Sequence, residues 1–294
     1  MRSITLKVDV DTLRGTREGV PRLAQLLLSL EIPATFLFSV GPDHTGRALR
    51  RVFRRGFLGK VSRTSVASHY GIATLLYGTL LPGPDIGRLC RAEMRAVAEQ
   101  GFEVGVHAYD HVKWQDGVAG ASLSWTSDQM GRASDAFKDI FGFAPRVHGA
   151  AGWQVNEHVP AIEHGLGFEV ASDTRGFEPF VPAGGGVLQI PTTLPTLDEL
   201  VGVKGARAED AVRRIFELTR TGPRNHVFTL HAELEGGAYL PQFEALLGAW
   251  LQAGFEFRTL REAARALDRN LLKTSRIESG VIEGRSGTLA LQAR

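Results

Sequence analysis

The chain has 294 residues, of which 43% are hydrophobic and 22% are charged, the balance of an ordinary soluble globular protein. A net charge of +2 is too small to indicate a nucleic-acid partner. The single cysteine, Cys90, cannot form an internal disulfide, and no signal-peptide pattern opens the sequence, so we expect a reducing, cytoplasmic setting. We predict one domain over residues 1–268, with a tail at residues 269–294.

The first predicted element is a strand at residues 4–11, where two aspartates stand two positions apart. Side chains of a strand alternate between its faces, so Asp9 and Asp11 project from the same face. Two carboxylates this close repel unless a cation or a shared proton lies between them. The pair therefore predicts a metal ion, a proton-sharing pair or one residue of each kind, and the alternative is a solvated strand end that begins a turn.

The following segments alternate between helix and strand patterns. Pro21 suits the first turn of a helix with an apolar stripe, and residues 33–40 then form a buried strand. Alternation of this kind predicts an α/β fold with a parallel sheet or barrel and helices outside it. Later strands are predicted at residues 102–107, 146–148, 168–172, 187–190, 226–231 and 255–257.

Residues 44–84 interrupt this pattern as an insertion. A helix at residues 49–57 would place arginines opposite large apolar side chains, the pattern of a helix in a membrane interface, and a second apolar stripe follows at residues 72–80. An ordinary barrel helix followed by a packed insertion is the alternative. The candidate membrane-contact residues are Arg50, Arg51, Phe53, Arg54, Arg55, Phe57, Leu75 and Leu76.

A second polar cluster lies at the end of a predicted strand. His107 and His111 are four residues apart, so a helical turn would bring both imidazoles to one side, as for two ligands of one divalent ion. One of the two aspartates could complete the site, because parallel strands bring their carboxyl ends to the same face of a barrel. Structural roles for both histidines remain the alternative.

A third candidate, His231, ends an apolar run on a late strand. Its position again predicts the same face of the barrel, where a histidine can donate a proton to a leaving group near neutral pH.

These motifs resemble the polysaccharide deacetylase-type hydrolases of the NodB-homology class. The resemblance extends over about residues 1–268 and is strongest where the acid pair, the His-x-x-x-His motif and the late Leu-His occur together. The runs that carry it are Val8–Leu23, Phe38–Asp43, His107–His111, Ala150–Trp153, Ser172–Gly176 and Thr229–Gly236.

The resemblance implies a distorted, incomplete (β/α) barrel in which Asp11, His107 and His111 bind one divalent metal ion. It implies Asp9 as the general base and His231 as the general acid. The ligand set suits Zn, Mn, Co, Ni or Fe.

Supporting or substrate-binding roles are expected for Asp173, Arg175, His148, Ala151, Trp153 and Tyr109. Many members of the class orient the base with an arginine from the loop after the fourth strand, where this chain has His148-Gly149-Ala150. Arg175 is therefore expected to take over that task. Asp173 is expected to orient His231, and the alternative is that it only caps a loop.

Within the class, the chain is most similar to members that remove a formyl group from a 4-formamido-arabinose carried on undecaprenyl phosphate. That similarity implies a lipid-linked sugar substrate, peripheral attachment to the cytoplasmic face of the inner membrane, and a role in lipid A modification and polymyxin resistance. A deacetylase of another N-acylated sugar, a non-haem iron oxygenase and an inactive membrane-binding or sugar-binding module are the alternatives.

Overall fold

The computed structural model describes residues 2–48, 72–202, 205–285 and 287–294. Within these ranges, ten strands form one sheet and two more form a separate hairpin. The strands are β1 (Ser3–Val10), β2 (Thr35–Ser39), β3 (Glu103–Ala108), β4 (Val147–His148), β5 (Val170–Ala171), β6 (Phe180–Pro182), β7 (Leu188–Gln189), β8 (Asn225–His231), β9 (Glu256–Arg258), β10 (Lys273–Ser275), β11 (Ile277–Gly280) and β12 (Leu289–Gln292).

Helices connect most of these strands. The α-helices with both ends in the described ranges are α1 (Val20–Ser29), α2 (Ile72–Leu76), α3 (Ile86–Leu89), α4 (Arg91–Glu99), α5 (His111–Gly117), α6 (Leu123–Phe141), α7 (Val159–Leu166), α8 (Leu197–Leu200), α9 (Ala208–Thr221), α10 (Leu240–Gln252) and α11 (Leu260–Arg265).

The sheet runs in the order β10, β6, β7, β5, β4, β3, β2, β1, β8, and β9 pairs with the first residues of β1. All pairs in it are parallel except β6 with β7. No pairing between β10 and β8 closes the sheet within the described ranges. The predicted α/β fold, an incomplete barrel, is confirmed.

Strand β1 is buried along its whole length, as expected for a parallel strand covered on both faces. Its apolar residues, from Ile4 to Val10 at every second position, pack into the main core with the helices. The intervening side chains are polar, ending with Lys7 and Asp9, and both are almost fully buried. Strand alternation therefore directs a polar row into the concave side of the sheet.

Two π-helical turns hold the ends of β1 and β8 together. One spans Gly15–Gly19 after β1, and the other spans Leu234–Ala238 after β8. They pack backbone to backbone, since a Cβ on Gly19 would lie only 1.9 Å from the carbonyl oxygen of Ala232. The close approach requires glycine and fixes the relative position of the two strand ends.

Every strand predicted from the sequence has a counterpart, whereas β6 and the C-terminal strands were not predicted. The segment expected as a tail is packed on the domain: β10 pairs with β6, and β11 pairs with β12. The backbone N–H of Gln292 donates to the carbonyl of Arg175 at 2.8 Å, which ties the hairpin to the barrel.

Residues 49–71 lie outside the described ranges, and with them the predicted helix at 49–57 and the six candidate contacts from Arg50 to Phe57. Leu75 and Leu76 lie in α2 and are half-buried, whereas Leu80 is 82% exposed. Among the residues described, none of the helices has the length and apolar character needed to cross a bilayer.

Candidate active site

The polar residues singled out from the sequence come together at the carboxyl ends of β1, β3 and β8. Asp9 lies opposite His231 in the register of β1 with β8, and Asp11 follows at the end of β1. His107 ends β3, and His111 begins α5. All five residues line one cavity of about 190 Å³.

Asp11, His107 and His111 form a compact group whose ligand atoms lie within 4.8 Å of one another. The Nε2 atoms of the two histidines lie 3.2 and 3.3 Å from different carboxylate oxygens of Asp11. The turn that brings His111 round is stabilised by Asp110, which caps α5 by accepting a hydrogen bond from the backbone N–H of Lys113 at 3.0 Å.

The hydrogen bonds of this group indicate a cation site. His107 Nδ1 lies 2.6 Å from the carbonyl oxygen of Gly149. A carbonyl can only accept, so Nδ1 carries a proton and donates it to Gly149. Nε2 of the same ring faces Asp11, whose Oδ1 atom is buried without a hydrogen-bond partner among the described residues. Two imidazole nitrogens and one carboxylate in this arrangement fit a divalent metal ion.

Electrostatics support the same arrangement. Burial alone would raise the pKa of Asp11, but His111 and His107 lower it below its usual range, so the carboxylate stays ionised. Burial lowers the pKa of His111 and favours the neutral imidazole that a metal ligand requires.

Asp9 lies beside this group but has a different partner. Its Oδ2 atom is 3.2 Å from the Nζ atom of Lys7, whose side chain is completely buried. Its Oδ1 atom is 3.9 Å from His107 Nδ1 and has no hydrogen-bond partner among the described residues. Asp9 thus has an ion pair of its own and is not part of the three-residue ligand group.

His231 stands across the cavity, with its Nδ1 atom 3.6 Å from a carboxylate oxygen of Asp198. Its backbone N–H donates to Glu235 at 2.8 Å, which fixes the end of β8. Burial works to lower the pKa of His231, but the negative charges of Asp198, Asp11 and Glu235 outweigh it and raise the pKa above the usual value. The surroundings therefore favour the imidazolium form more than water does.

Comparison with known proteins identifies the family. A model described as polysaccharide deacetylase matches residues 2–171, more than half of the chain. This chain belongs to the polysaccharide deacetylase family. The resemblance noted from the sequence motifs is confirmed.

Two relatives match this deacetylase-family chain over almost its full length. A protein of Shewanella sediminis is 36% identical over 99% of this chain and 94% of its own. One of Wigglesworthia glossinidia brevipalpis is 33% identical over 95% of this chain and 99% of its own. Both are named as a probable 4-deoxy-4-formamido-L-arabinose-phosphoundecaprenol deformylase, ArnD. The chain is accordingly a hydrolase of amide bonds.

Solved structures support the fold of the family. A polysaccharide deacetylase structure from Mycobacterium smegmatis has a TM-score of 0.65 at 16% identity, covering 96% of each chain. One from Pseudomonas aeruginosa has a TM-score of 0.56 at 16% identity, covering 90% of this chain and 89% of its own.

Trp153 forms one wall of the deacetylase-family site. It lies in a turn with Gly152, and both residues have positive φ angles. The φ angle of Trp153 is 52°, a conformation that a residue with a side chain keeps only where surrounding contacts stabilise it. Its indole N–H donates to Thr192 at 3.2 Å. The Nζ atom of Lys7 lies 5.0 Å from the ring centroid, and the guanidinium of Arg285 lies 4.3 Å from it. The guanidinium of Arg175 is also near, at 5.1 Å, so the ring is a contact surface for three cations.

Two expected supporting contacts differ in the structure. Arg175, expected to orient Asp9, instead pairs with Glu199 at 2.5 Å. Asp173, expected to orient His231, lies 3.0 Å from His148 Nδ1 and accepts from the backbone N–H of Ala150 at 2.7 Å. Strand order separates this motif from Asp9, because β5 lies four strands away from β1 in the sheet, with β4, β3 and β2 between them.

His148 belongs to a buried network below the site. Its Nδ1 atom lies 2.7 Å from Glu163, and the charges of Asp173 and Glu163 overcome burial and raise the pKa of His148 to about 10. This network supports the loop whose Gly149 carbonyl accepts from His107. Ala151 is buried in that loop, whereas Tyr109 packs against Arg132 with 4.1 Å between guanidinium and ring.

Four residues at the site escaped the sequence analysis. Lys7 carried a signal, since it shares the strand face of Asp9 at a spacing of two. Glu233 also carried one, since it lies in the Thr229–Gly236 run two residues after His231. Asp198 and Arg285 carried none, because long stretches of chain separate them from the motifs. Arg285 pairs with Glu199 at 3.2 Å and lines the cavity, so the C-terminal segment contributes directly to the site. Burial and Asp11 raise the pKa of Glu233, another cavity residue, well above its usual value.

Proposed function

We propose that this hydrolase removes the formyl group from 4-deoxy-4-formamido-L-arabinose linked to undecaprenyl phosphate, releasing formate and the 4-amino sugar lipid. The observation that carries the proposal is a complete set of candidate ligands, base and acid around one cavity. It occurs in a chain that matches named deformylases almost from end to end. The proposed biological role is lipid A modification that confers resistance to polymyxin and related cationic peptides.

Asp11, His107 and His111 would hold one divalent ion, and its identity among Zn, Mn, Co, Ni and Fe is open. When bound, such an ion acts as a Lewis acid and makes water a stronger nucleophile at neutral pH. The carbonyl of Gly149 holds the His107 ring so that Nε2 faces the ligand group.

Asp9 and His231 would transfer the protons of the reaction. Asp9 lies beside the ligand group, where its carboxylate would take a proton from the attacking water. His231, across the cavity and with its pKa raised by the surrounding carboxylates, would donate a proton to the sugar nitrogen as the C–N bond breaks. Trp153 and the buried strands exclude bulk water from one side of the cavity.

Two alternatives predict different reactions at the same residues. A deacetylase of another N-acylated sugar would use the same groups. A non-haem iron oxygenase would use the two histidines and one carboxylate but has no need for Asp9 or for an acid such as His231. Turnover without oxygen would separate hydrolysis from oxygenation.

The deciding experiment incubates the metal-loaded protein with formamido-arabinose and acetamido-arabinose lipid phosphates and analyses the products by mass spectrometry. Deformylation predicts a product that is lighter than the first substrate by the mass of CO, together with release of formate. A product lighter than the second substrate by the mass of C2H2O, with the first substrate unchanged, would instead identify a deacetylase.

The pH dependence of turnover should depend on Asp198. Because Asp198 is the carboxylate that raises the pKa of His231 most, Asp198→Asn should lower that pKa. A general acid works only while protonated, so the alkaline limb of the kcat/KM profile should move to lower pH. Asp210→Asn, at an exposed acid on α9, is the matched control. An alkaline limb that stays in place in Asp198→Asn would argue against His231 as the acid.

We further propose that residues 44–84 attach the enzyme to the cytoplasmic face of the inner membrane, where a lipid-linked substrate is met. The support is the sequence pattern of seven basic residues between Arg47 and Arg63 beside Phe53 and Phe57. Each basic residue near anionic lipid could contribute up to about 1 kcal/mol.

Replacing four arginines of this segment by glutamine should weaken co-sedimentation with anionic vesicles and leave the weak binding to neutral vesicles unchanged. The loss should be largest at low salt, because salt screens charges. The four positions are Arg50, Arg51, Arg54 and Arg55. A control with the same loss of charge replaces Arg207, Arg213, Arg214 and Arg220, which are exposed at or near α9. Equal binding by all three proteins would refute membrane attachment through this segment.

A further inference from the structure

Lys7 is a fully buried lysine on β1, which lies between β2 and β8 in the sheet. An ammonium group removed from water is costly unless an opposite charge compensates it. Among the described residues, the carboxylate paired with Lys7 is that of Asp9, at 3.2 Å. The two side chains are two positions apart on β1 and therefore share one face of a rigid strand.

The surroundings of Lys7 hold its amine at that place. The Nζ atom lies over the Trp153 ring, 5.0 Å from its centroid. On another side the Gly149 loop approaches so closely that a Cβ at Gly149 would lie 3.0 Å from Lys7 Cε and 2.3 Å from a methyl carbon of Leu37. The absence of a side chain at position 149 thus leaves room for the lysine side chain under the site.

The pairing has a direction. Lys7 contacts Oδ2 of Asp9, while Oδ1 lies toward the His107 ring at 3.9 Å without a hydrogen-bond partner in the described part of the chain. The contact is an ion pair, since Lys7 Nζ makes no hydrogen bond within the described residues. Its fixed charge on the Oδ2 side favours one orientation of the carboxylate. Arg175, the other candidate for this task, is engaged by Glu199.

We infer that Lys7 is the positioning residue for Asp9: its buried charge beside Oδ2 keeps the carboxylate in one orientation next to the candidate ligand group. The inference rests on the proposed role of Asp9 as base. Lys7 itself touches neither the candidate ligands nor the substrate position, so its effect on the reaction passes through Asp9.

The kinetic test compares Lys7→Met, which keeps the length of the side chain but removes the charge, with Lys7→Arg, which keeps the charge. Lys7→Met should lower kcat by about tenfold to a hundredfold with little change in KM or metal content, the loss typical of a second-layer partner. Lys7→Arg should recover most of kcat. Thr5→Val, at another buried polar position on the same strand face, is the control and should keep wild-type kcat.

A double-variant comparison tests whether the effect passes through Asp9. Adding Lys7→Met to Asp9→Asn should cause no further loss of kcat, because residues acting as one unit are not additive. A full multiplicative loss in the double variant, or wild-type kcat in Lys7→Met, would overturn the inference. Equal loss in Lys7→Met and Lys7→Arg would assign Lys7 to packing.

Thermal unfolding tests the ion pair between Lys7 and Asp9 without any substrate. Removing one member of a buried pair leaves an uncompensated charge, so Lys7→Met alone should unfold at a lower temperature than the variant that combines it with Asp9→Asn. The opposite order would refute the pair. If the wild type fails to hydrolyse the formamido sugar, the proposed function fails, while the unfolding comparison still decides on Lys7 and Asp9.

Discussion

His107→Ala and His111→Ala are each expected to lose the bound divalent ion and to lower kcat/KM by at least about a hundredfold to a thousandfold, the loss seen when one group that stabilises the reacting oxygen is removed. The reason is geometric, since the two Nε2 atoms lie 3.2 and 3.3 Å from Asp11 and each supplies one of three ligand atoms. Metal analysis of the purified variants, beside a steady-state assay, measures both effects. Chelation of the wild type should abolish turnover, and a divalent ion should restore it.

His164→Ala provides the matched control, because His164 lies exposed near the end of α7, away from the cavity. It should keep wild-type metal stoichiometry and activity. Normal metal content in both His107→Ala and His111→Ala would show that the ligand set is wrong. Full activity after complete metal removal would rule out metal-dependent hydrolysis.

Asp9→Asn is expected to lower kcat by about a hundredfold to ten-thousandfold, the usual contribution of a general base, while the protein keeps its metal. The asparagine side chain has nearly the same shape but cannot accept the proton of the attacking water. Asp9 is paired with Lys7 and stands outside the three-ligand group, so its replacement leaves that group intact. Turnover and metal content measured on the same preparation separate the two roles.

Asp11→Asn is the paired comparison and should lose the metal as well as the activity, because Asp11 faces both histidines. His231→Ala should resemble Asp9→Asn, with metal retained and kcat lowered. Loss of metal in Asp9→Asn combined with retention in Asp11→Asn would reverse the assignment of base and ligand.

Local spacing made the central part of the site predictable. Asp9 and Asp11 share a strand face because side chains alternate, and His107 and His111 meet because a strand passes into a helix between them. These relations extend over a few residues, where backbone geometry alone determines which side chains are neighbours. The buried strands were predictable for the same reason, since continuous apolar runs mark parallel strands covered on both faces.

The partners of these residues were not predictable in the same way. Arg175 and Asp173 belong to one of the motifs that carry the family resemblance. In the structure, however, Arg175 pairs with Glu199 and Asp173 pairs with His148. A charged side chain finds its partner through strand order and loop paths, and a single sequence does not contain those distances. The short strands of the C-terminal segment, such as β10 (Lys273–Ser275), were missed because they are polar and depend on an edge strand for pairing.

The sequence by itself determined the α/β class, the family and the five residues of the candidate centre. Each of these follows from short-range periodicity or from contiguous motifs. Only the tertiary structure decided that Lys7 holds Asp9, that Asp198 faces His231, and that Arg285 returns from the C-terminus to the cavity wall. The physical reason is that burial creates these pairs: once the sheet and its loops enclose a charge, the nearest opposite charge in space compensates it, whatever its distance along the chain.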